Sequence, residues 1–126
     1  MKRYLTIATT AVVQLLLLGL AADAAEKFQK LGGSQIRSRL AGMEITDEVH
    51  WADVFAANGT LTSYSMSRKK TGKWYVQKDE LCMDRGTDDE GAICYQMWLA
   101  GNKVELRREG SNLPFEGVLQ KQSVRR

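Results

Sequence analysis

Ala92-Ile93-Cys94-Tyr95-Gln96-Met97-Trp98-Leu99-Ala100, followed by Gly101-Asn102 and Lys103-Val104-Glu105-Leu106, decides how this chain folds. Ile93, Tyr95, Met97 and Leu99 recur at every second position, with Cys94 and Trp98 between them. An apolar period of two marks a β-strand, because successive side chains of a strand point to opposite faces. Apolar residues on the second face as well demand cover there. Gly101-Asn102 is a tight-turn dipeptide, and Val104 and Leu106 carry the alternation into the next strand.

The same period extends through the neighbouring sequence. Met43–Thr46 reads as a short strand. Val49, Trp51 and Phe55 share one face, interrupted at Asp53, and Asn58-Gly59 supplies a hairpin turn. Thr60 to Met66 is rich in Thr, Ser and Tyr and runs into the basic turn Arg68-Lys69-Lys70, ahead of Gly72. Trp74 and Val76 alternate with Lys73, Tyr75 and Gln77, and Lys78-Asp79-Glu80 is a polar turn into Leu81 and Met83. Leu113 to Leu119 closes the chain, with Pro114 suited to a strand start or edge. About eight short strands at intervals of roughly 8 to 15 residues predict an all-β fold. The expected architecture is an antiparallel meander forming a small barrel or strongly curved sheet, with a short N-terminal helix. That helix carries Ile36 and Leu40 on one face, with Ser34 as its N-cap and Gly42 just past its end. Gly32-Gly33 separates it from a frayed or helical leader. Too short to be stable alone, the helix is expected to cover the second apolar face of the sheet.

The chain has 126 residues, with 18 Lys and Arg, 15 Asp and Glu, one His, one Pro and two Cys. That length supports one compact domain. An apolar content of 44% argues against disorder. A charged content of 26% and a mean hydropathy of −0.33 argue against an integral membrane protein. A net charge of +3 is mild and does not mark a nucleic-acid binder.

Lys2 and Arg3 precede an apolar run from Leu5 to Leu20, and Ala22-Asp23-Ala24 places small residues where a signal peptidase reads. This tripartite layout predicts a signal peptide over residues 1–24 and a single β-barrel-like domain over 25–126. The run is short for a membrane span of about 20 residues, so no transmembrane segment is expected after processing. No Cys follows the cleavage point to carry a lipoprotein anchor. The expected location is periplasmic or secreted. Two cysteines in an oxidising compartment most simply pair, so a Cys82–Cys94 disulfide is expected. Closing a loop of about 13 residues contributes about 3 kcal/mol in the chain-entropy treatment.

Several positions together carry a resemblance: Leu31-Gly32, Ile36, Leu40-x-Gly42, Trp51-x-x-x-Phe55-x-x-Asn58-Gly59-Thr60, Gly72-x-Trp74, Leu81-Cys82, and Cys94 ahead of Trp98 and Gly101. The sequence resembles a group of small, mostly uncharacterised exported β-domain proteins of alpha-proteobacteria. The likeness covers nearly the whole chain after residue 24. Its motifs are turn glycines, core aromatics and a Cys pair, so it implies a periplasmic β domain and brings no catalytic residue with it.

Candidate chemistry is sparse. His50 could join Asp47 or Asp53 and a serine in a triad, but no Gly-x-Ser-x-Gly elbow is present, and a lone strand histidine usually packs or faces solvent. Asp84-Arg85-Gly86-Thr87-Asp88-Asp89-Glu90 is an acidic loop with hard oxygen donors suited to Ca²⁺. From Asp84, however, Gly86 and Asp89 occupy positions three and six, and the EF-hand pattern fails. The expectation is therefore no catalytic residue, no metal site and no cofactor.

Two basic groups remain, Arg68, Lys69, Lys70 and Lys73 at one turn, and Arg107 and Arg108 with Lys121, Arg125 and Arg126 towards the C-terminus. Clustered in space they would attract an anionic surface or an acidic protein. Scattered, they keep turns soluble and blunt strand edges. The expected function is a non-enzymatic, monomeric binding or interaction domain, with an inhibitor-like mode as one form of it. Its partner would be an envelope or periplasmic protein, or an anionic envelope surface, and not nucleic acid. The alternative is a carrier holding a small apolar ligand inside the barrel.

Overall fold

The computed structural model describes residues 27–86 and 91–123. The expected signal peptide, residues 87–90 of the acidic loop, and Arg125 and Arg126 lie outside the described residues.

Among the described residues, nine strands and one helix follow in the order β1 (Gln29–Lys30), α1 (Gly33–Leu40), β2 (Met43–Thr46), β3 (Trp51–Phe55), β4 (Thr60–Ser65), β5 (Arg68–Gln77), β6 (Glu80–Asp84), β7 (Ile93–Ala100), β8 (Lys103–Arg107) and β9 (Phe115–Lys121). Strands β2 to β9 form an antiparallel up-and-down meander in which each pairs with the next. β9 then returns to pair with β2 through Ile45↔Leu119, and the barrel is closed at eight strands. Closure removes the free sheet edges that an open meander would expose.

The stretch that leaves β1 was expected to be a frayed or helical leader. It is instead a two-residue strand, pairing Gln29 with Leu99 and Lys30 with Trp98 on β7. β6 has already ended alongside the first half of β7, so the last residues of that edge have backbone groups to satisfy. The Leu31 N–H donates to the Met97 carbonyl at 2.9 Å for the same reason.

Helix α1 starts at Gly33 with Gly32 as the N-cap, and not at Ser34. Tertiary contacts account for the difference. The Gly33 N–H donates to Asp79 Oδ1 at 2.7 Å, across from the β5–β6 turn, and the Gly32 N–H donates to Gln35 Oε1 at 2.8 Å. A Cβ on Gly33 would lie 3.1 Å from Asp79 Oδ1 and 3.3 Å from Val76 Cγ1. Gly42, at φ +81°, ends the helix as its sequence position implied, and its N–H donates to the Phe55 carbonyl at 2.7 Å.

The helix does not cover the outer face of β7. It closes one end of the barrel, where Ile36 and Leu40 are completely buried with Phe55, Leu61, Trp74, Leu81, Met97 and Val104. Phe55 and Trp74 meet edge to face, with ring centroids 5.6 Å apart, and the Trp74 indole N–H donates to the Ala56 carbonyl. Each fully buried Leu or Phe here contributes about 1.5–3 kcal/mol. On the outer face of β7, cover for Trp98 comes from β1 and from the Arg107 guanidinium, 3.9 Å above its ring.

Cys82 and Cys94 face each other in the β6–β7 register and are joined, with Cα atoms 3.9 Å apart. Among the described residues no helix is long and apolar enough to cross a membrane.

Candidate functional site

In a meander, turns alternate between the two ends. The β3–β4, β5–β6 and β7–β8 turns share the end closed by α1. The turns at 47–50, 66–67 and 108–114, with the end of β6 and the start of β7, lie at the other, open end, which no helix covers among the described residues.

Asp53 is the residue that interrupts the apolar face of β3, and the structure shows why it is there. It lies directly opposite Ser63 on β4, and its side chain is 6% exposed. Ser63 Oγ donates to Asp53 Oδ1 at 2.7 Å, and Arg85 Nη2 donates to Asp53 Oδ2 at 2.7 Å. Burial lowers the Arg85 pKa, but the hydrogen bond and charge of Asp53, joined by Tyr95, outweigh it and hold the guanidinium above its ordinary value. Arg85 also lies 5.7 Å from the Phe115 ring centroid, and Phe115 packs on Trp51 at 4.7 Å. A polar and aromatic layer therefore sits on top of the apolar core at the open end.

Two glycines make this layer possible. A Cβ on Gly72 would fall 1.8 Å from the Asp84 carbonyl oxygen and 3.0 Å from Arg85 C. Only glycine lets the end of β6 pass so close to β5, which brings Arg85 over the interior. A Cβ on Gly117 would fall 2.7 Å from Ile45 Cγ2 and 3.1 Å from Trp51 Cη2, so its absence gives the Trp51 ring room beside β9.

An open cleft of about 740 Å³ lies above the layer, lined by Trp51, Asp53, Ser63, Arg68, Lys70, Arg85 and Phe115 among others. Arg68 and Lys70 are two apart on β5 and face it together, about 7 Å apart along the strand. Among the described residues neither has an ion-pair partner, whereas Arg85 is matched by Asp53. The cleft thus carries one balanced charge pair and two further cations. A larger, more polar hollow of about 1200 Å³ lies beside it on the outer side of the β2–β3 and β4–β5 hairpins, lined by His50, Tyr64, Lys69 and Gln120 among others.

The rim of the open end is apolar at its tips. Val49 is 79% exposed in the β2–β3 turn, Met66 83% in the β4–β5 turn and Leu113 82% in the β8–β9 turn. Met66 and Ser67 also adopt φ +47° and +66°, the left-handed pair that two-residue hairpins normally fill with Asn-Gly. An exposed methionine in a left-handed turn position serves neither solubility nor local backbone preference. Asp47 shapes the neighbouring turn. Its Oδ1 accepts the N–H groups of Val49, His50 and Trp51 at 3.0, 2.6 and 2.9 Å, and its Oδ2 lies 2.8 Å from His50 Nδ1. Desolvation raises the Asp47 pKa, but these hydrogen bonds prevail and hold the carboxyl well below the usual range.

No family model matches the chain, and neither a curated protein nor a solved structure is detectably similar to it.

The basic residues singled out in the sequence do not form one patch. Lys70 lines the cleft, Lys69 the outer hollow, and Arg68 stands between the two and lines both. Lys73 lies further along β5, opposite Thr60 and Asp84. Arg107 is engaged twice by Glu105 Oε2, at 3.0 and 2.7 Å, in addition to its stacking on Trp98. Arg108 begins the β8–β9 turn, exposed. His50 is on an exposed turn, hydrogen-bonded through its ring to Asp47. Sequence reasoning missed the Asp53–Arg85 pair and the apolar tips. The break in alternation at Asp53 was the available signal for the first. The tips had none, because an exposed aliphatic residue looks like any other until the fold gathers it with its neighbours.

Proposed function

We propose that this chain is a non-enzymatic binding domain of the cell envelope that docks its open barrel end on an anionic membrane surface. The observation that carries the reading is the concentration at one end of three exposed apolar tips, Val49, Met66 and Leu113, beside the cationic hairpin residues Arg68, Lys69 and Lys70. Apolar tips enter the interfacial region of a bilayer while flanking cations meet its headgroups, and each cation near the surface adds about 1 kcal/mol. The apolar leader of residues 5–20, the disulfide and the resemblance to small exported β-domain proteins support an envelope location. The non-enzymatic part of the reading rests on His50, which lies on an exposed turn, and on Asp53, which is engaged by Ser63 and Arg85.

Sedimentation of the secreted, processed protein with vesicles tests this. Phosphatidylglycerol-containing vesicles should carry the protein down at low salt, and neutral phosphatidylcholine vesicles should not. Raising the salt to about 1 M shortens electrostatic reach to about 3 Å and should release it. R68Q/K69Q/K70Q and M66S/L113S should each weaken binding, and R107Q should not. Sedimentation with neither vesicle, or equally with both, would defeat the reading. If vesicles fail and a single envelope protein is crosslinked at position 66, the partner is a protein.

A further inference from the structure

We infer that the cleft at the open end is a subsite for a single amphipathic organic anion. The anionic head would lie between Arg68 and Lys70, and the apolar body against the Phe115 and Trp51 rings. The inference goes beyond surface docking, because it concerns one molecule seated in the cleft and is testable with no membrane present.

Three features converge. The first is size: about 740 Å³ lies within the range of about 300–1,000 Å³ typical of small-molecule sites. The second is charge. Asp53 already balances Arg85, and a carboxylate that is 6% exposed with both oxygens engaged has little capacity to attract another cation. Arg68 and Lys70 face the same space without a partner among the described residues, so the cleft is set for a negative group. Ser65, on the adjoining strand and opposite Arg68 in register, adds a hydroxyl donor beside that group, whereas the Ser63 hydroxyl is committed to Asp53.

The third feature is the wall. Phe115 is 40% exposed, packs on Trp51 and stands over Arg85, which gives an apolar surface next to the cations. Below it the described core side chains are packed. Phe55, Leu61, Met83 and Leu106 fill the interior between the polar layer and α1, all 2% exposed or less. A ligand is therefore held at the mouth, head among cations and body against the rings. A free organic carboxylate or phosphate and the headgroup of an anionic lipid share this chemistry.

The test uses two fluorescent probes of nearly the same aromatic body: 1-anilinonaphthalene-8-sulfonate, which is anionic, and N-phenyl-1-naphthylamine, which is neutral. The processed protein should bind the sulfonate at least about tenfold more tightly, since a charge-assisted hydrogen bond is worth about 1.5–3 kcal/mol. R68Q/K70Q should erase that preference and leave neutral-probe binding within about twofold, at unchanged melting temperature because both positions are exposed. F115A should weaken both probes. K69Q, on the outer side, should change neither. Decyl phosphate in solution or phosphatidylglycerol vesicles should displace the bound sulfonate; the first assigns a free anion, the second a lipid headgroup. Equal affinity for the two probes would overturn the inference in favour of an apolar carrier. Absence of binding, or a sulfonate signal unaffected by R68Q/K70Q, would overturn it outright. Vesicle sedimentation that fails while the sulfonate preference holds would reject membrane docking and leave the subsite standing.

Discussion

Asp53 and Arg85 meet at 2.7 Å across the open end of the barrel, although 32 residues separate them in the chain. Neither side chain can be removed alone without consequence, because the survivor is left as an uncompensated charge in a partly desolvated place. D53N should cost about 3 kcal/mol, at the low end for buried pairs, since Arg85 keeps 28% of its side-chain exposure. The double variant D53N/R85M should recover much of that loss. Chemical denaturation of the two variants checks it, and additive losses would show that the pair is not coupled.

The Asp47 carboxyl has a folded pKa below its unfolded one. A depressed carboxylate stabilises the fold above its unfolded pKa, near 3.9, and loses that contribution as pH falls towards the folded value. D47N retains an acceptor for the turn's N–H groups but removes the charge. It should melt below the wild type at pH 7, and the gap should narrow as pH drops below about 4. Melting curves across this range decide it. A gap that stays constant would mean that the charge of Asp47 does not contribute.

The Cys82–Cys94 bridge ties the neighbouring strands β6 and β7. C82A/C94A should lose about 3 kcal/mol, which for a domain of about 100 residues lowers the melting temperature by about 12–24 °C. Protein produced in an oxidising compartment should show no titratable thiol under denaturing conditions. Two free thiols would refute the bridge.

The β4–β5 turn stores strain at Met66 and Ser67. Replacing them with Asn-Gly, as M66N/S67G, removes two non-glycine residues from left-handed conformations and should add about 1 kcal/mol or more. If Met66 also serves docking, the stabilised variant should bind anionic vesicles more weakly. A variant that is both more stable and equally well bound would leave the methionine without a role at the rim.

Local residue pattern made much of the barrel legible. Ile93, Tyr95, Met97 and Leu99 do face one way, Met43–Thr46 is a strand, and Asn58-Gly59 and Gly101 turn the chain where expected. Period and turn chemistry act over a few residues, so they can be read along the chain. The start of α1 could not, because Gly33 is capped by Asp79, 46 residues away. The same limit applied at Asp53, whose defect in alternation was visible but whose partner was not.

What the sequence determined by itself is therefore most of the barrel strands, several of the turns that reverse them and the pairing of two cysteines. The basic turn expected at Arg68-Lys69-Lys70 lies instead within β5, because the chain reverses at Met66 and Ser67, whose left-handed conformations no glycine or asparagine announces. Tertiary structure alone decided that β2 meets β9, that α1 plugs one end, and that Val49, Met66 and Leu113 gather with Arg68 and Lys70 at the other. The physical reason is closure. Once eight strands form a ring, alternate turns must share an end, and residues far apart in the chain become neighbours around one mouth.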